Sequence, residues 1–214
     1  MQIAVIGAGN VGEALGRGWA RAGHAVVFGL REPDDAKFEA LSREPGIRLA
    51  TVAEAAAAGE VVVLAMPWQA VPDVLAQAGD LTGKILVDCT NPLRMGAAGL
   101  ELTLGYETSG AEQVAAQAPG ARVCKAFNST GYGNMEQPAY DGQRAVMFVC
   151  GDDAAACRTV GELSDALGFE TILAGGLRTA RLLEPLAMLW IQLAFTSPLG
   201  RDFAFALLRR NPQE

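Results

Sequence analysis

A single histidine in 214 residues removes most acid, base and metal chemistry from consideration. With only His24 available, no Ser-His-Asp set and no histidine-rich metal cluster can be assembled, and no metal site is expected. His24 follows Gly23 and opens a hydrophobic run, which reads as a structural position. The four cysteines, Cys89, Cys124, Cys150 and Cys157, show neither a C-x-x-C pair nor metal-ligand spacing. They read as free thiols of a reducing cytosol, and a cytoplasmic protein is expected. Basic residues are short as well: 17 Lys and Arg against 24 Asp and Glu leave a formal charge of −7. That balance excludes a broad basic surface for nucleic acid, so any phosphate must be held by a local device. No run is long enough to span a bilayer, since the most apolar stretch, "PLAMLWIQLAFTSPLG", is short and interrupted by Pro185 and Pro198. The opening residues read as a strand, with no basic n-region or small-residue cleavage site, so no secretory signal is expected.

What is present is hydrophobic residue in quantity, half of the chain, organised in alternation. Short runs rich in β-branched residues, near 2–6, 25–29, 47–49, 60–65, 84–88, 121–125, 145–150 and 169–173, alternate with alanine-rich amphipathic segments. Runs such as "VVVLA" and "KILVD" are apolar on both faces, as strands covered by helices on both sides require. The pattern predicts an α/β fold with a doubly wound, mostly parallel sheet. Thr51 and Glu54 form a T-x-x-E capping box with Gly59 as a stop, and Asp152 is placed to cap a helix that ends at Gly168. Ser197 and Pro198 read as the cap and first position of a last helix, with Arg209 and Arg210 at its negative end. A change from β-α alternation to long helix near residue 178 divides the chain into a nucleotide-binding domain, 1–177, and a C-terminal helical segment, 178–214.

The first β-α-β unit carries the chemistry. "VIGAGNVG" is G-x-G-x-x-G, with Gly7 for the tight turn, Gly9 where a pyrophosphate approaches, and Gly12 for close packing of helix on strand. The amides at the helix start would then face the phosphates. The tip of the second strand selects the dinucleotide. An NAD site usually places a carboxylate there, but this chain reads Phe28, Gly29, Leu30, Arg31, and a planar cation suits the 2′-phosphate of NADP. Glu32 beside it opposes that preference, and an ordinary solvated role for Arg31 stays open. Ligands of such sheets lie beyond the carboxyl ends of the strands. Three of those ends, "LAMPWQ", "VDCTNPL" and "CKAFNST", turn sharply and offer Met66, Pro67, Trp68, Asn91, Pro92, Phe127 and Asn128 as a nicotinamide wall. Trp68 and Phe127 could equally pack on their own domain, and Asn91 could form a turn. Lys125 is a proton-donor candidate or a cover for strand ends. Hydride transfer between two ring cofactors needs alignment and exclusion of water more than acid catalysis, and fits this thin set of groups.

The strings "GAGNVG", "VVFGLRE", "MPWQAV", "VDCTNPL", "KAFNSTGYGNM", "VCGDDAAA" and "ARLLEPLAMLW" stand in the order seen in the coenzyme F420-dependent NADP reductase family, which the chain resembles over roughly residues 1–195. It is also similar to the cytosolic reductase domain of STEAP metalloreductases. The resemblance implies a Rossmann domain with a short C-terminal helical extension, often a homodimer that packs those helices together. It implies NADP bound at Gly7, Ala8, Gly9, Asn10, Val11 and Gly12, with Arg31 on the 2′-phosphate, Met66 and Pro67 near the cofactor, and F420 or a related flavin met by the loops matching "TNPL" and "FNST". Leu30 stands where archaeal-type members carry a serine, which leaves one phosphate ligand fewer.

Three functions follow as expectations. The first is an NADPH-dependent reductase passing hydride to F420 or a flavin. The second is reduction of a small imine or carbonyl compound, whose usual enzymes carry a longer helical domain. The third is an NADP-sensing protein without turnover. Independently, "EPLAMLWIQLAF" is apolar nearly all round, and a short tail offers little to cover it, so a homodimer is expected, against the alternative of burial within one chain.

Overall fold

The computed structural model describes residues 1–97 and 99–210. The eight hydrophobic runs become one sheet, built from β1 (Gln2–Ile6), β2 (Ala25–Leu30), β3 (Ile47–Thr51), β4 (Val61–Leu64), β5 (Ile85–Asp88), β8 (Arg122–Lys125), β11 (Val146–Gly151) and β12 (Glu170–Leu173). Two hairpins that the sequence does not announce lie outside it: β6 (Leu93–Gly96) with β7 (Gly99–Leu102), and β9 (Ala139–Tyr140) with β10 (Gln143–Arg144). The helices are α1 (Asn10–Arg21), α2 (Glu39–Ser42), α3 (Val52–Ala58), α4 (Val71–Ala78), α5 (Gly110–Gln117), α6 (Tyr132–Glu136), α7 (Ala154–Ala166) and α8 (Ala180–Thr196).

The sheet order is β12-β11-β8-β5-β4-β1-β2-β3. Neighbours run parallel except β11 against β8, because the chain returns from β8 through α6 and a hairpin instead of a crossover helix. Alternation along each strand feeds two cores. Ile3, Val5 and Phe28 pack on one side with Leu15, Trp19, Met147 and Phe169. Ala4, Ile6 and Val62 pack on the other with Val52, Val71, Leu75, Val114 and Leu183. Trp19 is fully buried, and its Nε1 donates to the Leu163 carbonyl at 3.0 Å, which ties α1 to α7 while satisfying the indole.

The capping box at Thr51 and Glu54 is present, with both of its reciprocal bonds. The next expected cap is displaced by one residue: Asp153 caps α7 by accepting from Ala156 N, while Asp152 accepts from Leu177 N in the following connection. The last expected helix does not form. Ser197 ends α8 instead of starting a new one, with its hydroxyl donating to the Leu193 carbonyl at 2.6 Å. Residues 203–210 are not helical; Phe205 accepts from Val146 N and Arg209 pairs with Glu170 at 2.6 Å. The physical reason is in the spacing, since Phe203 and Phe205 alternate as an extended segment does, and Phe203 stacks on Trp190 at 5.3 Å. The final four residues of the 178–214 segment lie outside the described residues. Among the described residues, no helix is long and apolar enough to cross a membrane.

Candidate functional site

The sheet reverses its winding at β1, whose neighbours are β4 and β2, and the crevice for a ligand opens above that point. The glycine loop there has a different cause at each glycine. Gly7 sits at φ +106°, and a Cβ on it would stand 2.7 Å from the Ala65 carbonyl oxygen. A Cβ on Gly12 would stand 2.1 Å from the Gly7 carbonyl oxygen. Gly9 is different: a Cβ there would meet no protein atom within 4 Å. Nothing in the fold fills the space above position 9, so the loop is open to a ligand there. Gly9 also begins α1 without any side-chain cap, which leaves the helix's first amides to an outside acceptor. These residues fit a dinucleotide pyrophosphate.

Arg31 is exposed immediately beyond the end of β2, and among the described residues no carboxylate pairs with it. Glu32 is exposed too and holds no ion pair there. A cavity of 550 Å³ is bounded by the residues that follow, with Asp34, Asp35, Glu39 and Arg48 in its lining. Arg48 is the one cation in that lining against three carboxylates.

The residues expected on the nicotinamide side divide into three groups. Met66 is half-buried and Pro67 exposed, directly beyond β4. Asn91 and Asn128 are brought together: Asn91 Nδ2 donates to the Asn128 carbonyl at 3.0 Å, and Asn128 Nδ2 donates to Asn91 Oδ1 and to the Leu183 carbonyl, each at 3.1 Å. They bridge two strand-end loops. Trp68 and buried Pro92 both close on the start of α5, where a Cβ on Gly110 would lie 3.3 Å from the Trp68 ring and 3.5 Å from Pro92. Phe127 is a correction. Its side chain is 1% exposed and packs edge-on against Trp19 and Phe169, so it belongs to the core and cannot face a ligand. Its backbone has φ at +57°, an uncommon conformation for a side-chain-bearing residue that turns the chain after β8.

Lys125 is the second correction, as a proton donor. It is fully buried at the end of β8, with Nζ donating to Asp88 Oδ2 at 2.9 Å and the Thr90 carbonyl at 2.6 Å, and lying 2.9 Å from Glu184 Oε1. Burial alone would push the ammonium's pKa down, but the Asp88 and Glu184 charges outweigh it and hold it above its ordinary value. It stays charged, with its three donors engaged. Asp88 also accepts from the Thr90 amide and hydroxyl, and Glu184 accepts from the Gly110 and Ala111 amides at 2.9 and 3.2 Å, capping α5 from a distant helix. The signal for this group was an acid or base closing each of two adjacent apolar strands and one acid, Glu184, inside an apolar helix. All four cysteines are buried free thiols, and burial raises each of them, Cys150 to about 12, so none is a ready nucleophile.

A cavity of 440 Å³ opens beside the glycine loop, lined by Asn10, Tyr132, Trp190, Phe195, Arg201 and Asp202 among others. Sequence reasoning missed it because its walls come from α1, α6, α8 and the segment beyond α8, far apart in the chain. Its lining is aromatic with one cation and one carboxylate, Asp202, and the Arg201 guanidinium lies 4.7 Å over the Phe195 ring.

A doubly wound sheet whose glycine-rich first βα turn is open above Gly9 and leaves helix amides uncapped defines a dinucleotide-binding Rossmann protein. Residues 2–92 match the family described as NADP oxidoreductase, coenzyme F420-dependent. The chain is 32% identical over 207 residues to the F420-dependent NADP reductase of Methanothermobacter thermautotrophicus, covering 90% of this chain and 89% of that protein. A solved structure from Arthrobacter sp. FB24, itself a candidate F420-dependent NADP reductase, superposes with a TM-score of 0.89 at 34% identity, covering 98% of this chain and all of that one. The rat metalloreductase STEAP3 is 31% identical over 192 residues, 87% of this chain, which spans only 36% of that protein's length. The chain belongs to the F420-dependent NADP reductase family.

Proposed function

We propose that this protein is an NADPH-dependent reductase that passes a hydride to coenzyme F420 or a related flavin. The observation that carries the reading is the adjacency of the open glycine loop and the aromatic cavity: Asn10 belongs to both. In this reading the amides of Gly7, Ala8, Gly9, Asn10, Val11 and Gly12 hold the pyrophosphate, Arg31 holds the 2′-phosphate, and Met66 and Pro67 border the nicotinamide half. When bound, NADPH supplies the hydride. The chain's own residues orient and exclude water. Asn91 and Asn128 fix the loops behind the nicotinamide, and Tyr132, Trp190 and Phe195 offer a planar acceptor flat, largely apolar walls. Arg201 gives an anionic acceptor tail a partner. No proton donor is needed at the transfer itself, which agrees with Lys125 being fully engaged.

Reduction of a small carbonyl or imine is the second reading, and one observation favours it: Tyr132, whose phenol is a proton donor, lines the same cavity. We further propose that the chain is cytoplasmic and works as a homodimer through α8. That helix buries Leu183, Ala187, Trp190 and Ala194 against its own chain but leaves Leu182 70% and Leu189 49% exposed, seven residues apart on one face that the chain does not cover itself. The division into a cofactor domain, 1–177, and a helical contact segment, 178–214, belongs to the same proposal. Oxidation of NADPH on addition of F420 or FMN tests the function, and the solution mass tests the dimer.

A further inference from the structure

We propose that Glu184, Lys125 and Asp88 are positioning residues: a buried clamp that fixes α8, and with it the Trp190 and Phe195 wall of the acceptor cavity, against the two strand-end loops facing the nicotinamide. The inference rests on the functional reading above and adds a division of labour to it.

Three elements meet at one ammonium. Lys125 ends β8, Asp88 ends the adjacent β5, and the two are register partners; Glu184 comes from α8. The Thr90 carbonyl ties the loop after β5 to the same nitrogen. A second tether runs alongside, because Asn128 Nδ2, already on Asn91, also donates to the Leu183 carbonyl. Two consecutive residues of α8 therefore act side by side: the Leu183 carbonyl holds the loop after β8 through Asn128, and Glu184 holds Lys125 at the end of β8. Glu184 spends its remaining capacity on the Gly110 and Ala111 amides, so α5 is locked into the same assembly, and its N-terminal dipole faces the group's excess negative charge.

A cluster of this kind is a poor way to gain stability, since well-packed apolar residues of similar volume serve as well or better. Its advantage is geometric: three charges with every donor and acceptor satisfied have one arrangement. The leverage is large. Phe195 lies 11 residues along α8 from Glu184, about 16 Å at 1.5 Å per residue, so a tilt of about 5° at the clamp moves the cavity wall by about 1.4 Å. A displacement of about 1 Å in a hydride-transfer geometry can cost about 100-fold in rate.

The test is Glu184→Asp, which keeps the charge and retracts the carboxylate by one methylene. We expect NADPH affinity, followed by cofactor fluorescence, to stay within about twofold, while single-turnover hydride transfer to F420 falls about 10- to 100-fold and the isotope effect with 4-deuterated NADPH rises on kcat. Amide exchange of residues 89–92 and 126–131 should accelerate in the NADPH complex. If the aspartate variant does not fold, the triple Asp88→Asn, Lys125→Met, Glu184→Gln protein, which leaves no buried charge unpaired, replaces it, with the same expected loss. Transfer and loop exchange both within about twofold of wild type in a folded variant, or NADPH affinity falling in step with turnover, would overturn the clamp. If the wild-type protein reduces neither F420 nor a flavin, the functional reading fails separately, and unchanged loop exchange in the variant would overturn the clamp on its own.

Discussion

The Gly7 carbonyl oxygen stands 2.1 Å from where a Cβ on Gly12 would lie, whereas Gly9, between them, has no protein atom within 4 Å of its own. The two glycines must therefore fail differently. Gly12→Ala should lower stability by about 1–3 kcal/mol through overpacking. Gly9→Ala should melt within about 2 °C of wild type yet bind NADPH at least about tenfold more weakly, because the added methyl occupies ligand space. Thermal melts with and without NADPH separate these outcomes; a Gly9→Ala protein that binds normally contradicts the assigned loop.

Arg31 has no carboxylate partner among the described residues, so its removal should cost the fold little. Arg31→Ala should weaken NADPH binding by about 10- to 100-fold, the range of a lost charge-assisted contact, and leave NADH binding within about twofold. Parallel titrations with the two nucleotides check this, and equal losses for both would remove Arg31 from the 2′-phosphate.

The bidentate pair of Arg181 on α8 with Glu112 on α5, at 2.8 and 2.7 Å, gives a pH signature. Arg181, with help from Ser109, holds the Glu112 carboxyl below its usual range. A carboxylate lowered in the folded state contributes fully above its unfolded pKa and loses that contribution as pH falls through the folded value. Glu112→Gln should therefore cost about 1 kcal/mol or less near neutrality, given the partly solvated pair, and flatten the acid-side decline of stability. Urea titrations from neutral to acid pH measure both.

Tyr132 distinguishes two kinds of acceptor. Tyr132→Phe should leave hydride transfer to a flavin-type acceptor within about threefold. It would lower reduction of a carbonyl or imine by about 100-fold or more if the phenol protonates the product. Rates of the variant with each acceptor class give the answer.

Local patterning made the sheet legible in advance. All eight strands were visible because each combines β-branched residues with a glycine or proline boundary, and the Thr51 cap because its partner is three residues away. The glycine loop was legible for the same reason: its logic is confined to six residues. What was hidden depends on distant residues. Phe127 reads as a loop aromatic until Trp19 and Phe169 are seen around it. Lys125 reads as a proton donor or a cover for strand ends until Glu184, 59 residues later, is found beside it. Ser197 and Pro198 spell a helix start as well as a helix end, and only the packing of Phe203 on Trp190 selects the end. The acceptor cavity needed four separate segments and was not visible at all.

The most direct test of the account mixes the purified protein, saturated first with NADPH and then with NADH, against F420 in a stopped-flow spectrometer. Rapid loss of NADPH absorbance together with bleaching of F420 is expected, with a much slower reaction from NADH. NADPH that binds and is not oxidised by F420 or FMN would contradict the reductase assignment.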